Sequence, residues 1–499
     1  MHTLRATLVT GPIMQHTAMP PSRLLPVSLA AGAALWLGVG LAPAWWWVWL
    51  APVPLLWLAL SIQRTGQARV AVAIATLLAA TRYASYFDLV MPLPAAVLAT
   101  CGVGALWYVV VMTTRALVQR LRTGWSVLAY PLVWVTVDLL MAQLLPDGNW
   151  GSPAYTQAAV LPLLQLTAVA GVSGLLFVLC LLPSLLAVLL WRGHRVQRPV
   201  ALAGAVLLVL AAGTGGGLWR LQTPPAGTPT KIGLASIDEP INAVATPTYW
   251  RPIRDRYDAM IGELAAQGAQ IVVLPEKIAV LPPAELARWQ AHFAALARAH
   301  GLWLVVGIAE HGSHPHNLAW LFDPAGQRVL NYDKHFLAPP ERAQAYASGT
   351  AYALHAIGDA RFGLAICKDM MFARLARANG QRNAAMMLVP AWDFAYRDAW
   401  MSAHMTVLRG VENGYAVARN AREGWLIVSD AHGRVLAQTA SAPLPGTSML
   451  VSVPVGSQLP TLYTRVGDLF GWLCALAVLV LAGVAYRGAA GMRHAPADR

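Results

Sequence analysis

Eight stretches of this chain are each long and apolar enough to cross a lipid bilayer, and they bracket one segment that is not. They lie near 24–42, 44–62, 69–90, 95–113, 125–145, 162–190 and 199–219, with a last one near 468–486. A bilayer-crossing helix needs ~20 mostly apolar residues to span a hydrocarbon core of ~30 Å. Backbone polar groups have no water partner in lipid, so such stretches are confined to helices. The third stretch is interrupted by Arg82 and Asp88, and the sixth is long. The fold class expected is a multi-span α-helical membrane bundle, about seven helices over 24–220, with an α/β domain ahead of one final span.

Charge divides the chain in the same way. Only 12% of residues are charged, with a net charge of +13, where a soluble chain carries ~25%. Segment 231–455 holds 20 Lys+Arg and 18 Asp+Glu, against 16 and 5 in the remainder. All four lysines (Lys231, Lys277, Lys334, Lys368) fall in that segment. Most of the excess is arginine in alternate connections: Arg5 and Arg23, Arg64 and Arg69, Arg115, Arg120 and Arg122, Arg192, Arg195 and Arg198, then Arg487, Arg493 and Arg499. The intervening connections, 41–43, 91–94 and 146–150, have no Lys or Arg. By the positive-inside rule the tails 1–23 and 487–499 are cytoplasmic and segment 231–455 is outside. The first span lacks a small-residue cleavage site and reads as a retained anchor. No basic run with interleaved aromatics occurs in 231–455, so nucleic acid is not an expected partner. The tryptophans, including Trp45, Trp46, Trp47 and Trp49, suit interfacial belts against membrane lipids.

Three of the four cysteines (Cys101, Cys180, Cys474) lie inside expected spans, where a thiol is ordinary packing. Cys367 alone belongs to the middle segment, so a disulfide framework is not expected there. The 13 histidines are scattered, and His311, His314 and His316 share a Gly/Ser/Pro loop better suited to solvent than to a metal. No metal or cofactor site is expected.

The middle segment alternates strand and helix patterns. Apolar, often β-branched runs at 231–236, 271–274, 302–308, 362–366 and 386–389 read as strands, with 318–322 and 328–332 forming a hairpin around Asp323-Pro324-Ala325-Gly326. Helical periodicity marks 249–267, 284–300, 372–378 and 398–413, and 415–419, 426–429 and 434–437 close with strands. Such alternation predicts a layered α/β domain.

Glu276, Lys334 and Cys367 each follow a strand directly, and strand ends are where α/β domains gather reactive groups. A thiol with an ordinary pKa of ~8.5 needs a base. A carboxylate supplies one, and an ammonium stabilises an oxyanion. Together they suit acyl transfer through a thioester. Singly, each has a plain alternative: a cap or loop glutamate, a surface lysine, a core thiol.

The phrases LPEK (274–277), NYDKHFL (331–337) and GLAICKDMMF (363–372) resemble the catalytic blocks of the nitrilase, or carbon–nitrogen hydrolase, superfamily, and LVPAWDF, RGVENGYAVARNAREG and SDAHGRVLA follow in that family's order. The resemblance implies an αββα sandwich over 231–455 with Glu276 as base and acid, Lys334 as oxyanion stabiliser and Cys367 as nucleophile. The flanking phrases LGVGLAPAWWW, YPLVWVTVDLL, GNWGSPAYTQ, AGVSGLLF and TLYTRVGD are similar to the membrane branch of that superfamily, the apolipoprotein N-acyltransferases. That branch implies a bacterial inner-membrane enzyme whose catalytic domain is periplasmic. It moves an acyl chain from a phospholipid donor to the α-amino group of a diacylated lipoprotein acceptor. His404 and Arg409–Glu412 fall where the family has a helix with related polar residues.

Departures from the family mark the auxiliary candidates. Cys367 is followed by Lys368-Asp369 rather than an aromatic and Glu, so Lys368 either favours the thiolate or points to solvent. The Lys334-to-Cys367 segment is shorter than in the family. Glu341, among prolines, is the candidate auxiliary glutamate, Trp392 an acyl-pocket aromatic or a core residue, and Glu412 a further candidate. These departures support a second reading, a membrane-anchored nitrilase-type amidase or an N-acyltransferase for another amine.

Overall fold

The computed structural model describes residues 20–121, 124–192, 198–224, 227–239 and 247–493. The tail segments 1–19 and 494–499, with Arg5, Arg122, Arg195 and Arg499, lie outside the described residues. Five helices are long and apolar enough to cross a membrane: Thr65–Val90, Leu93–Arg120, Gly124–Leu144, Thr167–Arg192 and Pro199–Leu221. Three shorter apolar helices, Ser22–Gly38, Trp47–Ser61 and Leu469–Ala485, fall on the other expected spans. The chain is a membrane protein by these helices. Two of the expected spans are not uniform α-helix, the third span at its interruption by Arg82. The third passes through a 3-10 turn at Thr81–Tyr83. The sixth is a short helix, Leu161–Leu164, followed by a kinked one, Thr167–Arg192. The kink sits at Gly171, whose φ of 62° is left-handed. A Cβ there would meet the Tyr463 ring at 2.4 Å, so only glycine fits.

The middle of the chain folds as two sheets. The first contains β1 (Thr228–Ser236), β2 (Ile271–Val273), β3 (Val280–Leu281), β4 (Trp303–Glu310), β5 (His316–Phe322) and β6 (Arg328–Asp333). The second contains β7 (Ala353–Ile357), β8 (Ala360–Leu364), β9 (Met386–Trp392), β10 (Ala416–Arg422), β11 (Trp425–Ser429) and β12 (Val435–Ala440). A last strand, β13 (Thr447–Val455), returns to pair antiparallel with β1, giving the orders β13-β1-β2-β4-β5-β6 and β12-β11-β10-β9-β8-β7. β1, β2 and β4 run parallel, as do β8, β9 and β10, so helices must cross over between them.

Strand alternation assigns the layers. Ile271 and Val273 join Leu364, Leu388 and Ala418 in a core between the sheets. Val272 and Leu274 point the other way, onto Tyr257, Met260 and Phe293 of the helices Pro247–Ala266 and Pro283–His300. On the outer face of the second sheet, Met387, Val389 and Val417 pack against Leu375 and Ala376 of the helix Ala373–Gln381. The result is the αββα sandwich expected. The helix Ala399–Asn413 has a second role. It is buried on nearly every side, which its apolar periodicity alone does not require. Met401, Met405, Leu408 and Val411 share a core with membrane residues such as Leu164, Leu175 and Val135. This helix therefore joins the sandwich to the bundle.

Candidate functional site

The parallel strands of both sheets end at one place. β2 delivers Glu276, β8 delivers Cys367 and β9 delivers Trp392 and Asp393. The two sheets are stitched there: Asn420 Nδ2 donates to the carbonyls of Ala235 (2.8 Å) and Val273 (2.6 Å), and Glu276 N donates to the Ala391 carbonyl (3.3 Å). Gly307 on β4 permits the approach, since a Cβ would lie 2.3 Å from the Pro275 oxygen and 2.8 Å from Glu276 Cα. Lys334 follows β6, and its N–H is held by the Asn317 carbonyl at 2.9 Å.

One cavity is lined by Glu276, Lys334 and Cys367 together. Glu276, Lys334 and Cys367 are 2%, 1% and 8% exposed. Lys334 Nζ donates to Glu276 Oε1 at 2.8 Å and lies 2.9 Å from Glu341 Oε2. Asn317 Nδ2 donates to both Glu276 Oε1 and Glu341 Oε1 at 2.6 Å. Glu276 Oε2 is buried and has no hydrogen-bond partner among the described residues. Cys367 Sγ lies 3.4 Å from the Trp392 carbonyl oxygen. Its φ of 44° is left-handed, a conformation a non-glycine residue holds only where its surroundings enforce it.

Charge in the cavity is balanced by pairs. Burial opposes the Lys334 ammonium, but the Glu276 and Glu341 carboxylates outweigh it and hold the pKa well above the usual lysine range. Burial also works against the Glu341 carboxylate. Lys334 and Lys277 overcome it and hold the carboxyl far below the usual range. Burial, and then the Glu276 charge, push the Cys367 thiol well up, against the pull of Lys334 and Arg419. Cys367 therefore rests as a thiol, which would need a base to act as a nucleophile.

The auxiliary candidates fall in different places. Glu341 sits in the cavity, on the short helix Pro339–Ala343, and also accepts from Ala338 N at 2.8 Å. Trp392 lines the cavity, with its indole N–H donating to Glu423 at 3.1 Å. Asp369 is not part of the cavity lining. It accepts from Tyr332 OH and from the N–H groups of His335, Phe336 and Ile366, tying the Lys334 loop to the Cys367 turn. Lys368 neither faces solvent nor stands free beside the thiol: it is 5% exposed and ion-paired to Asp147 of the membrane domain. Glu412 lies away from the cavity. It pairs with Arg409 (2.6 Å) and accepts the N–H of Val172 (3.0 Å) that the Gly171 kink leaves free. His404 is buried, its Nδ1 on the Trp400 carbonyl at 2.8 Å.

Three residues were missed. Lys277, the neighbour of Glu276, turns into the cavity with φ of 50° and pairs with Glu341 at 2.5 Å. Asn317 joins the two glutamates. Its signal was a polar residue at the start of an apolar strand. Asp147 had none beyond being the lone acid in a short membrane connection. The bundle adds an apolar wall of Tyr86, Phe87, Val90, Met91 and Trp150. Among the described residues no group of His, Cys, Asp and Glu is arranged to hold a metal ion.

The architecture is a membrane bundle joined to a nitrilase-like αββα sandwich, with Cys367, Glu276 and Lys334 gathered at the shared strand ends. Residues 243–452 match the carbon-nitrogen hydrolase family, and residues 31–185 match the apolipoprotein N-acyltransferase N-terminal domain. Together the two matches give the chain the domain pair of an apolipoprotein N-acyltransferase within the nitrilase superfamily. Similar relatives are the apolipoprotein N-acyltransferases of Geobacter metallireducens (26% identical over 390 residues, 72% of this chain and 74% of the relative) and Gloeobacter violaceus (26% over 413 residues, 78% and 76%). Among solved structures, an amidase from Nesterenkonia sp. aligns at 21% identity with a TM-score of 0.39, over 46% of this chain and 92% of its own.

Proposed function

We propose that the protein transfers a fatty acyl chain from a phospholipid, through a thioester on Cys367, to the α-amino group of a diacylglyceryl-cysteine at a lipoprotein N-terminus. The observation that carries this reading is the shared cavity: Glu276, Lys334 and Cys367 on one side, Tyr86, Phe87, Val90, Met91 and Trp150 of the bundle on the other. A nucleophile in a cavity walled by membrane helices suits a substrate held in the bilayer.

In the first step Glu276 Oε2 takes the Sγ proton as sulfur bonds to the ester carbonyl carbon. Lys334 Nζ supports the oxyanion. The ester C–O bond breaks, and Glu276 returns the proton to the lysophospholipid alkoxide. In the second step the lipoprotein amine attacks the thioester carbonyl and gives its extra proton to Glu276. The C–S bond breaks, and the thiolate recovers that proton. The two family matches and the arginine-bearing connections support placing this chemistry on the periplasmic side of the inner membrane, with both termini cytoplasmic.

Purified protein incubated with a phospholipid bearing a labelled acyl chain tests the reading. Expected is a labelled thioester, absent in Cys367→Ser, that discharges to a diacylated lipopeptide. A thioester that ignores the lipopeptide would favour the amidase or other-amine reading. No label on folded protein would refute both.

A further inference from the structure

Lys368 follows Cys367 directly and lines the same cavity. A lysine this buried requires an anionic partner. Its carboxylate partner comes from the other domain: Asp147, in the connection after the Gly124–Leu144 span. Arg342, one residue past Glu341, presents Nη1 and Nη2 to Asp147 Oδ1 and Oδ2 at 3.1 and 3.2 Å. Both cations also donate to the Leu337 carbonyl, Lys368 at 2.9 Å and Arg342 at 2.8 Å. Two cations fixed to one backbone oxygen thus converge on a single carboxylate, leaving one positive charge in excess. The Lys368 side chain is enclosed (6% exposed), whereas that of Asp147 is 48% exposed, so the carboxylate is the partner free to swing away.

A guanidinium fork beside an ammonium receives a phosphate as well as it receives a carboxylate. We propose that Lys368 and Arg342 form the seat for the phosphodiester of the acyl donor, which displaces the Asp147 carboxylate. The proposal rests on the phospholipid-donor reading above. In a glycerophospholipid the scissile ester and the phosphate are a few covalent bonds apart. A phosphate seat must therefore lie close to the attacking sulfur, and Lys368 is the residue adjoining it. Nothing in the Glu276–Lys334–Cys367 chemistry uses this cluster otherwise. As a merely structural clamp, it would have no reason to distinguish donors with and without phosphate.

Single-turnover acylation of Cys367 in the full chain, read by intact mass, tests this. The donors are a phospholipid and a diacylglycerol with the same acyl chains. The readout is the ratio of their kcat/KM values. Lys368→Met and Arg342→Gln are expected to lower the ratio tenfold or more. Asp147→Asn, which removes the competing carboxylate, is expected to raise it through a lower KM for the phospholipid, a gain that misfolding cannot mimic. Both donors falling in proportion would overturn the seat and leave a domain clamp. Saturable inhibition of the diacylglycerol reaction by inorganic phosphate, with the donor ratio unmoved by the variants, would assign the cluster to a free anion and likewise overturn it. Acylation by the diacylglycerol but not the phospholipid in the unaltered protein would refute the seat alone. Absence of acylation by either donor would refute the donor reading and the seat with it.

Discussion

Lys334 Nζ holds one oxygen of Glu276 at 2.8 Å, and the other oxygen of that carboxylate, buried in the same cavity, has no partner among the described residues. The pairing fixes one oxygen of the carboxylate and leaves the other as an unused acceptor in the cavity that Cys367 also lines. Glu276→Gln removes the proposed base but also removes the negative charge that raises the Cys367 thiol. Two effects of opposite sense are therefore expected. Thioester formation falls by ~10²-fold or more, while the thiol ionises at lower pH than in the unaltered protein. Stopped acylation kinetics measure the first, and the pH profile of Cys367 alkylation measures the second. Near-normal acylation would contradict the role of Glu276.

Glu341 is shared by Lys334, Lys277, Asn317 and Ala338 N. Glu341→Gln strips Lys277 of its carboxylate while Lys277 stays 6% exposed. Removing one partner of a buried ion pair costs on the order of 3–5 kcal/mol, much of it from the stranded charge. The double variant Glu341→Gln/Lys277→Met should therefore be more stable than Glu341→Gln alone, by thermal unfolding in detergent. Additive losses would mean that Lys277 finds water or another anion.

The layered fold was legible because its signals are local. β2 alternates Ile271 and Val273 into one core and Val272 into the other, and the spans announce themselves by length. The short helix Pro339–Ala343 and the strands β7 and β13 were not anticipated. β7 and β13 are edge strands with half-exposed residues, so their apolar alternation is weak. Within the cavity, Glu276, Lys334 and Cys367 were visible because each ends a strand. Lys277, Asn317 and Asp147 were not, because their importance comes from partners distant in sequence. Lys368 shows the limit best: the sequence left it either beside the thiolate or in solvent, and only the tertiary fold could reveal Asp147 as its counter-charge.

Arg409 connects the two domains. Its guanidinium donates to Glu412 (2.6 Å), to Tyr155 OH (2.5 Å) and to the Met371 carbonyl (3.1 Å) in the turn that carries Cys367. Tyr155 OH passes the contact to Asn149 (2.8 Å), and Asn149 to Asp138 (2.7 Å) inside a membrane span. All five side chains are buried. Arg409→Met leaves Glu412 as an unpaired buried carboxylate, an expected loss of roughly 3–5 kcal/mol. Arg409→Met/Glu412→Gln should recover part of it. Limited proteolysis of the 455–468 connection reports the loosening. Equal protection in Arg409→Met and the unaltered protein would show that apolar packing of Ala399–Asn413 suffices to join the domains.

Asp398 lines the cavity and accepts from Phe394 N (3.0 Å) and Ser402 Oγ (3.1 Å). Burial, and then the adjacent Asp393 carboxylate, raise its carboxyl to about 7, above the ~3.9 of an unfolded aspartate. Between those values the folded protein keeps a proton that the unfolded chain has released. Stability from this group is complete below the lower value and is lost as pH rises through the upper one. Asparagine keeps the shape and cannot ionise. The Tm of the unaltered protein is therefore expected to fall more steeply between about pH 4 and 7 than that of Asp398→Asn, and to run parallel to it above. For a domain of this size each kcal/mol corresponds to ~2–4 °C, which differential scanning fluorimetry resolves. Parallel curves across the whole range would mean that Asp398 is already ionised in the fold, held by Arg419 through its pair with Asp393.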